Sequence, residues 1–123
     1  PPLYPEDVLS PEQEREAAAE IIREAILEAL YEEVPHSVAV EVEEWKERAN
    51  GMLYIRATIY VERDSQKRIL IGSQGSMLRR VGTQARRHLE AMTGRRVYLD
   101  LWVKVWKNWR KDERALRRLG FWK

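Results

Sequence analysis

Four residues, Gly72-Ser73-Gln74-Gly75, constrain this chain more than any other stretch because of what flanks them. An apolar run, Ile69–Ile71, leads in, and a strongly basic helical pattern leads out from Ser76. Two glycines at that junction make a short loop, opening a helix, with little side-chain bulk in front of its backbone N–H groups. Such a loop can come close to a phosphate. Alone, G-x-x-G is a weak motif. Set between two helical segments and two strands it is a far more specific one.

The periodicities on either side predict that setting. Ser10-Pro11-Glu12-Gln13 supplies an N-cap, a proline at the first helical position and the glutamine of a capping box. Ala18, Ile21, Ile22, Ala25, Ala29 and Leu30 then recur at helical spacing, giving a helix to about Glu33 that Pro35 stops. Val38, Val40 and Val42 alternate with Ala39, Glu41 and Glu43, the pattern of a strand with one buried face. Asn50-Gly51 signals a hairpin. The next strand turns Leu53, Ile55, Ala57, Ile59 and Val61 inward and Tyr54, Arg56, Thr58 and Tyr60 outward.

Asp64 or Ser65 can cap a short helix that ends at Gly72. A long helix from about Ser76 to Met92 carries Leu78, Val81, Ala85, Leu89 and Met92 on one face, with Gly94 able to close it. A third strand has Val97, Leu99, Leu101, Val103 and Val105 inward, and Asp112 can cap a last short helix ending at Gly120. The order is α-β-β-α-α-β plus a tail. A hairpin makes the first two strands antiparallel, and the helical crossover permits a parallel third. The expected architecture is α+β: one mixed three-stranded sheet with three helices on one face, over residues 11–107. Residues 1–10, rich in proline, read as a linker, and 108–123 as a basic helical tail.

Charge divides the chain. The formal net is only +2, yet residues 1–62 hold 5 basic and 15 acidic side chains, and residues 63–123 hold 17 basic and 5 acidic. The basic half contains the glycine loop, which places a cationic field where a polyanion would need it. The chain has no cysteine and only two isolated histidines, His36 and His88, which excludes disulfides, thiolate metal sites and multi-histidine metal sites. No catalytic constellation stands out. No run approaches the roughly 18 apolar residues of a membrane span, and the proline-rich, acidic start does not read as a signal peptide.

The candidate binding residues follow from the loop outward. The amides of Gln74, Gly75 and Ser76 are expected to be unpaired at the start of the long helix, where its dipole favours an anion. Gly72 and Gly75 would admit phosphate oxygens by lacking Cβ, and Ser73 and Gln74 would donate hydrogen bonds without charge. Aspartates at both glycines are expected to abolish binding while the fold is kept. Lys67 and Arg68 are further phosphate contacts. At about 100° per residue, Gly75, Arg79, Gly82 and Arg86 share one edge of the long helix; Gly82 serves either close approach of a ligand or close helix packing. Arg80 and Arg87 point the other way.

Ile69, Ile71 and Leu78 could floor a groove between the second strand and the loop helices, with Arg56 and Arg63 on or beside that strand. The outward aromatics Tyr54, Tyr60, Tyr98, Trp102 and Trp106 call for a cover. The tail, with Trp109, Leu116, Leu119 and Phe121, or a partner surface is the favoured cover, ahead of stacking by RNA.

The segment Ile71-Gly72-Ser73-Gln74-Gly75-Ser76-Met77-Leu78 is similar to the core of KH domains, and the element order to their type II arrangement. Further stretches carry a narrower likeness: Pro1–Asp7, Ala19–Glu24, Glu33-Val34-Pro35-His36-Ser37-Val38-Ala39-Val40, Tyr54–Arg63 and Trp109–Gly120. Together they resemble the C-terminal region of the Era family of bacterial ribosome-assembly GTPases. The resemblance implies a cytoplasmic domain that binds single-stranded RNA at the 3′ end of small-subunit ribosomal RNA, on the small ribosomal subunit. It implies that GTP and Mg belong to a GTPase domain not contained in these residues, since G-x-x-x-x-G-K-[ST] does not occur. The chain is then not an enzyme, and 1–10 is the remnant of an inter-domain connection. The competing expectation is a protein- or membrane-contact domain acting through Arg114, Arg117 and Arg118, at the inner face of the cell membrane.

Overall fold

The computed structural model describes residues 9–30 and 38–120. The expected end of the first helix at Glu33, its stop at Pro35, His36, Phe121 and nearly all of the proline-rich arm lie outside the described residues. Helix α1 spans Pro11–Leu30, strand β1 Ala39–Glu47, strand β2 Leu53–Val61, and helix α2 Asp64–Ile71. A single 3-10 turn, Ser73–Gly75, leads into helix α3, Ser76–Thr93. Strand β3, Val97–Val105, and a second 3-10 turn, Trp109–Lys111, precede helix α4, Glu113–Arg118.

Helix α1 begins as its sequence dictates. Ser10 Oγ accepts from the Gln13 amide at 3.1 Å, and Gln13 Oε1 accepts from the Ser10 amide at 2.9 Å. Two orphan donors of the first turn are thereby satisfied reciprocally. The buried stripe Ala18, Ile22, Ala25, Ile26 and Leu30 packs against the sheet and α3. Each fully buried isoleucine contributes roughly 1.5–3 kcal/mol from its apolar area.

The sheet order is β1-β2-β3. β1 and β2 are antiparallel, and β2 and β3 parallel from Leu53↔Val97 to Val61↔Val105. β2 is therefore the central strand, and Leu53, Ile55, Ala57, Ile59 and Val61 are buried along it. The hairpin is looser than a two-residue turn: strand pairing stops at Glu47 and resumes at Leu53, and Asn50 Oδ1 accepts from Met52 N–H inside the loop.

A bulge between Val42 and Glu44 interrupts the alternation of β1. Because of it Trp45, opposite Ile55, joins Val42 on the core side. The inserted Glu43 turns outward, where it accepts a 3.0 Å hydrogen bond from Thr58, which is fully buried.

The tail folds back onto the outer sheet face. Trp106 N–H donates to the Val61 carbonyl, and Trp109 and Ala115 are buried against Ala39 and Tyr60. Asp112 caps α4 by accepting from the Arg114 amide at 2.9 Å. Arg118 reaches across to Glu41 at 2.9 Å and to the Tyr60 hydroxyl at 3.2 Å.

Candidate nucleic-acid interface

The glycine loop takes its shape from three residues of positive φ in four. Gly72 has φ +75°, Gln74 φ +53° and Gly75 φ +79°. Gly72 ends α2, its amide donating to the Arg68 carbonyl. A Cβ at Gly72 would lie 2.7 Å from Met77 Cβ and 2.8 Å from Met77 N. The first turn of α3 thus fills the space that a side chain would occupy, so the joint itself already requires glycine at position 72. Aspartate at this position would disrupt the fold, contrary to the expectation from sequence. At Gly75 a Cβ would meet only the flexible end of Arg79, at 3.1 Å, so here the positive φ alone selects glycine.

The three amides expected to be unpaired are not all so. Gly75 N–H donates to the Gly72 carbonyl at 3.2 Å, and Ser76 N–H to the Ser73 carbonyl. The 3-10 turn uses them internally. What stays open is the positive end of α3: it has no side-chain cap and no acidic residue in its first turn. The dipole of this 18-residue helix is therefore uncompensated at the loop. Ser73 and Gln74 form the exposed apex.

From the loop a groove of about 420 Å³ runs along α3, lined on one side by Gly75, Leu78, Arg79, Gly82, Thr83 and Arg86. The other wall is Leu99 and Leu101 of β3. The helical periodicity thus placed Gly75, Arg79, Gly82 and Arg86 correctly on one edge. The expected second wall, β2, was wrong, because β2 is the central strand and β3 the edge that faces the groove. Leu99, Leu101 and Thr83 were missed as lining residues. The alternation in β3 marked the leucines as inward, but nothing in one sequence says which strand of a mixed sheet lies at its edge.

Gly82 is not demanded by packing: a Cβ there would touch Leu101 Cδ1 at 3.7 Å, an ordinary contact. Two arginines border the groove in different ways. Arg79 Nη1 donates to the Gln74 carbonyl at 2.8 Å, holding the loop. Arg86 pairs with Glu90 at 3.2 Å, and Glu90 also accepts from the Val97 amide, fixing the far end of the groove to the start of β3.

Other expected residues sit elsewhere. Arg80 and Arg87 are exposed and do not line the groove, as anticipated. Lys67 and Arg68 lie on α2, outside its walls. Arg63 is the N-cap residue of α2, in place of the expected Asp64 or Ser65, and Gln66 Oε1 reaches back to accept from its amide. Arg63 borders a separate recess with Glu62, Asp64, Lys107 and Asn108. Of the three expected floor residues only Leu78 lines the groove; Ile71 packs against the core and Ile69 is exposed. Among the described residues no acidic, histidine or cysteine cluster could hold a metal ion, and no helix is long and apolar enough to cross a membrane.

A helix–loop–helix with G-x-x-G at its joint, laid on a mixed sheet whose parallel edge strand walls a groove, defines a KH domain. Residues 33–110 match the KH domain family, and the chain belongs to it. Within that family it is similar to the KH portion of GTPase Era. It is 58% identical over 121 residues to GTPase Era of Thermotoga petrophila and 52% identical over 121 residues to that of Thermosipho melanesiensis. Each alignment covers 98% of this chain and 40% of the relative, so the chain spans well under half the length of those proteins. A structure of an Aquifex aeolicus Era variant bound to GDP·AlF4− superposes with a TM-score of 0.90 at 42% identity, over 100% of this chain and 42% of that one. A structure of Era in complex with MgGDPNP and nucleotides 1506–1542 of 16S ribosomal RNA gives 0.90 at 42% identity, over 100% and 41%.

Proposed function

We propose that this chain is the single-stranded RNA-binding module of an Era-type GTPase, and that it engages the 3′ end of small-subunit ribosomal RNA during ribosome assembly. The observation that carries the reading is the meeting of an uncapped, acid-free helix start with a groove bordered by Arg79 and Arg86 and walled by Leu99 and Leu101. A backbone phosphate docks at the loop, where the α3 dipole and the Ser73 and Gln74 side chains receive it. Gly82 leaves room for the strand to lie close to α3. The leucines offer an apolar wall to unpaired bases, and the arginines supply charge to the linkages between them. Lys67 and Arg68 on α2, and Arg63 beyond it, lend longer-range attraction. A relative at 42% identity has been solved with 16S ribosomal nucleotides, which supports the same class of partner here.

In this reading residues 11–107 are the binding unit, 108–123 the tail and 1–10 the remnant of a connection to a GTPase domain. GTP and Mg are handled by that domain, this chain catalyses nothing, and the setting is the cytoplasm. The alternative, a basic tail acting on a membrane or protein, is disfavoured by Arg118, which is engaged by Glu41 and Tyr60.

The test is S73D/Q74D, which adds two charges at the exposed apex without touching Gly72 or Gly75. Aspartate tolerates the left-handed conformation of Gln74. Loss of RNA binding in a folded double variant is expected; affinity equal to the wild type would refute the reading.

A further inference from the structure

Among the described residues, the tail covers one end of the outer sheet face. Trp106, Trp109 and Leu116 close over Tyr60 and Ala39 at one end. At the other, Tyr98 and Trp102 on β3 remain 52% and 51% exposed. The two rings stand four residues apart on one face of a strand, hence about 13 Å apart. Each has a guanidinium beside it: Arg48 lies 5.4 Å from the Tyr98 ring, and Arg56 lies 5.8 Å from that of Trp102. Arg56 Nε is buried and has no hydrogen-bond partner among the described residues.

Between the two rings, on the same face, is Asp100, which accepts a 2.7 Å hydrogen bond from the Tyr54 hydroxyl. A carboxylate there repels phosphate, so the surface suits the faces of bases rather than a backbone. It lies across a single strand edge from the groove. β3 is an edge strand, and its alternation sends Leu99 and Leu101 into the groove and Tyr98, Asp100 and Trp102 to the opposite face. An RNA strand leaving the groove has only one strand edge to turn around before it meets these rings.

We propose that Tyr98 and Trp102, flanked by Arg48 and Arg56, form a second RNA subsite that stacks unpaired bases of the same strand that occupies the groove; this rests on the RNA-binding reading above. A KH groove clamps about four nucleotides, so a longer strand has bases to spare. Stacking on aromatic rings accepts any base, and arginine adds a cation–π component.

The test titrates the 123-residue chain with RNA of nucleotides 1506–1542 of 16S ribosomal RNA, and with the tetranucleotide cut from it that binds best. Trp102→Ala and Tyr98→Ala are each expected to weaken the long RNA about tenfold. They should leave the tetranucleotide affinity and the salt slope unchanged in folded protein, because stacking releases no counterions. Trp102→Phe should restore most of the loss. Unchanged affinity of both alanine variants for the long RNA overturns the proposal and leaves the face to a protein partner. An equal loss on the tetranucleotide also overturns it, since the rings would then only support the groove. If S73D/Q74D binds like the wild type while Trp102→Ala does not, the groove reading fails, and with it the proposal that one strand joins groove and rings. If the wild type binds neither RNA, both fail.

Discussion

Arg79 folds back onto its own loop, its Nη1 donating to the Gln74 carbonyl at 2.8 Å. The bond steadies the apex residue in its left-handed conformation, and it parks a guanidinium at the mouth of the groove. The same side chain thus shapes the loop and faces the expected path of the phosphates.

Arg79→Ala is predicted to weaken RNA binding and to make its salt dependence shallower. Removing the cation that neutralises one phosphate of a single strand changes the slope of log K against log salt by about 0.7. Titrations at several salt concentrations check this, and an unchanged slope would place Arg79 off the backbone path.

The two loop glycines should differ in stability cost. Gly72→Ala meets both the penalty of a positive-φ, extended-ψ backbone that essentially only glycine adopts and the clash with Met77, together about 2–4 kcal/mol. Gly75→Ala meets mainly the backbone penalty, roughly 1–2 kcal/mol, because the Arg79 terminus can move aside. Urea unfolding of the two variants gives the order directly; equal costs would contradict the packing argument.

Gly82→Ala separates stability from binding. The added methyl has ordinary contact with Leu101, and alanine in a helix interior is more stable than glycine by about 0.5–1 kcal/mol. The variant should therefore melt a few degrees higher while binding RNA more weakly, since the methyl narrows the groove. A more stable variant with full affinity would show that this glycine serves neither role.

The sheet–tail contact makes the domain sensitive to alkali. Burial pushes the Tyr60 phenol above its ordinary value, Glu41 adds to the rise and Arg118 opposes it. A phenol whose folded pKa is raised contributes stability that is complete below about pH 10 and is lost as pH climbs through the folded value. Stability should accordingly fall above about pH 10, and Tyr60→Phe should flatten that fall. Urea midpoints on either side of that pH, for both proteins, make the comparison.

Much of this architecture was legible because its signals are local. Ser10 and Gln13, the alternating apolar residues of Leu53–Val61 and the 3.6-residue stripe through Val81, Ala85 and Leu89 each fix an element without reference to the rest. The groove edge of α3 was legible for the same reason. What escaped the sequence depends on packing between distant segments. The bulge at Glu43, which turns Trp45 inward, appears only once β1 is registered against β2. Met77 beneath Gly72 requires the angle between two helices. The choice of β3 over β2 as the groove wall needs the order of the strands, which hairpin and crossover rules leave open.

The most direct measurement is a titration of the wild type and S73D/Q74D with single-stranded RNA and with a duplex of the same sequence, each at low and high salt. The account predicts that the wild type prefers the single strand, that its affinity falls as salt rises, and that the folded double variant loses both the affinity and the preference. Equal binding of strand and duplex, or a variant indistinguishable from the wild type, would contradict it.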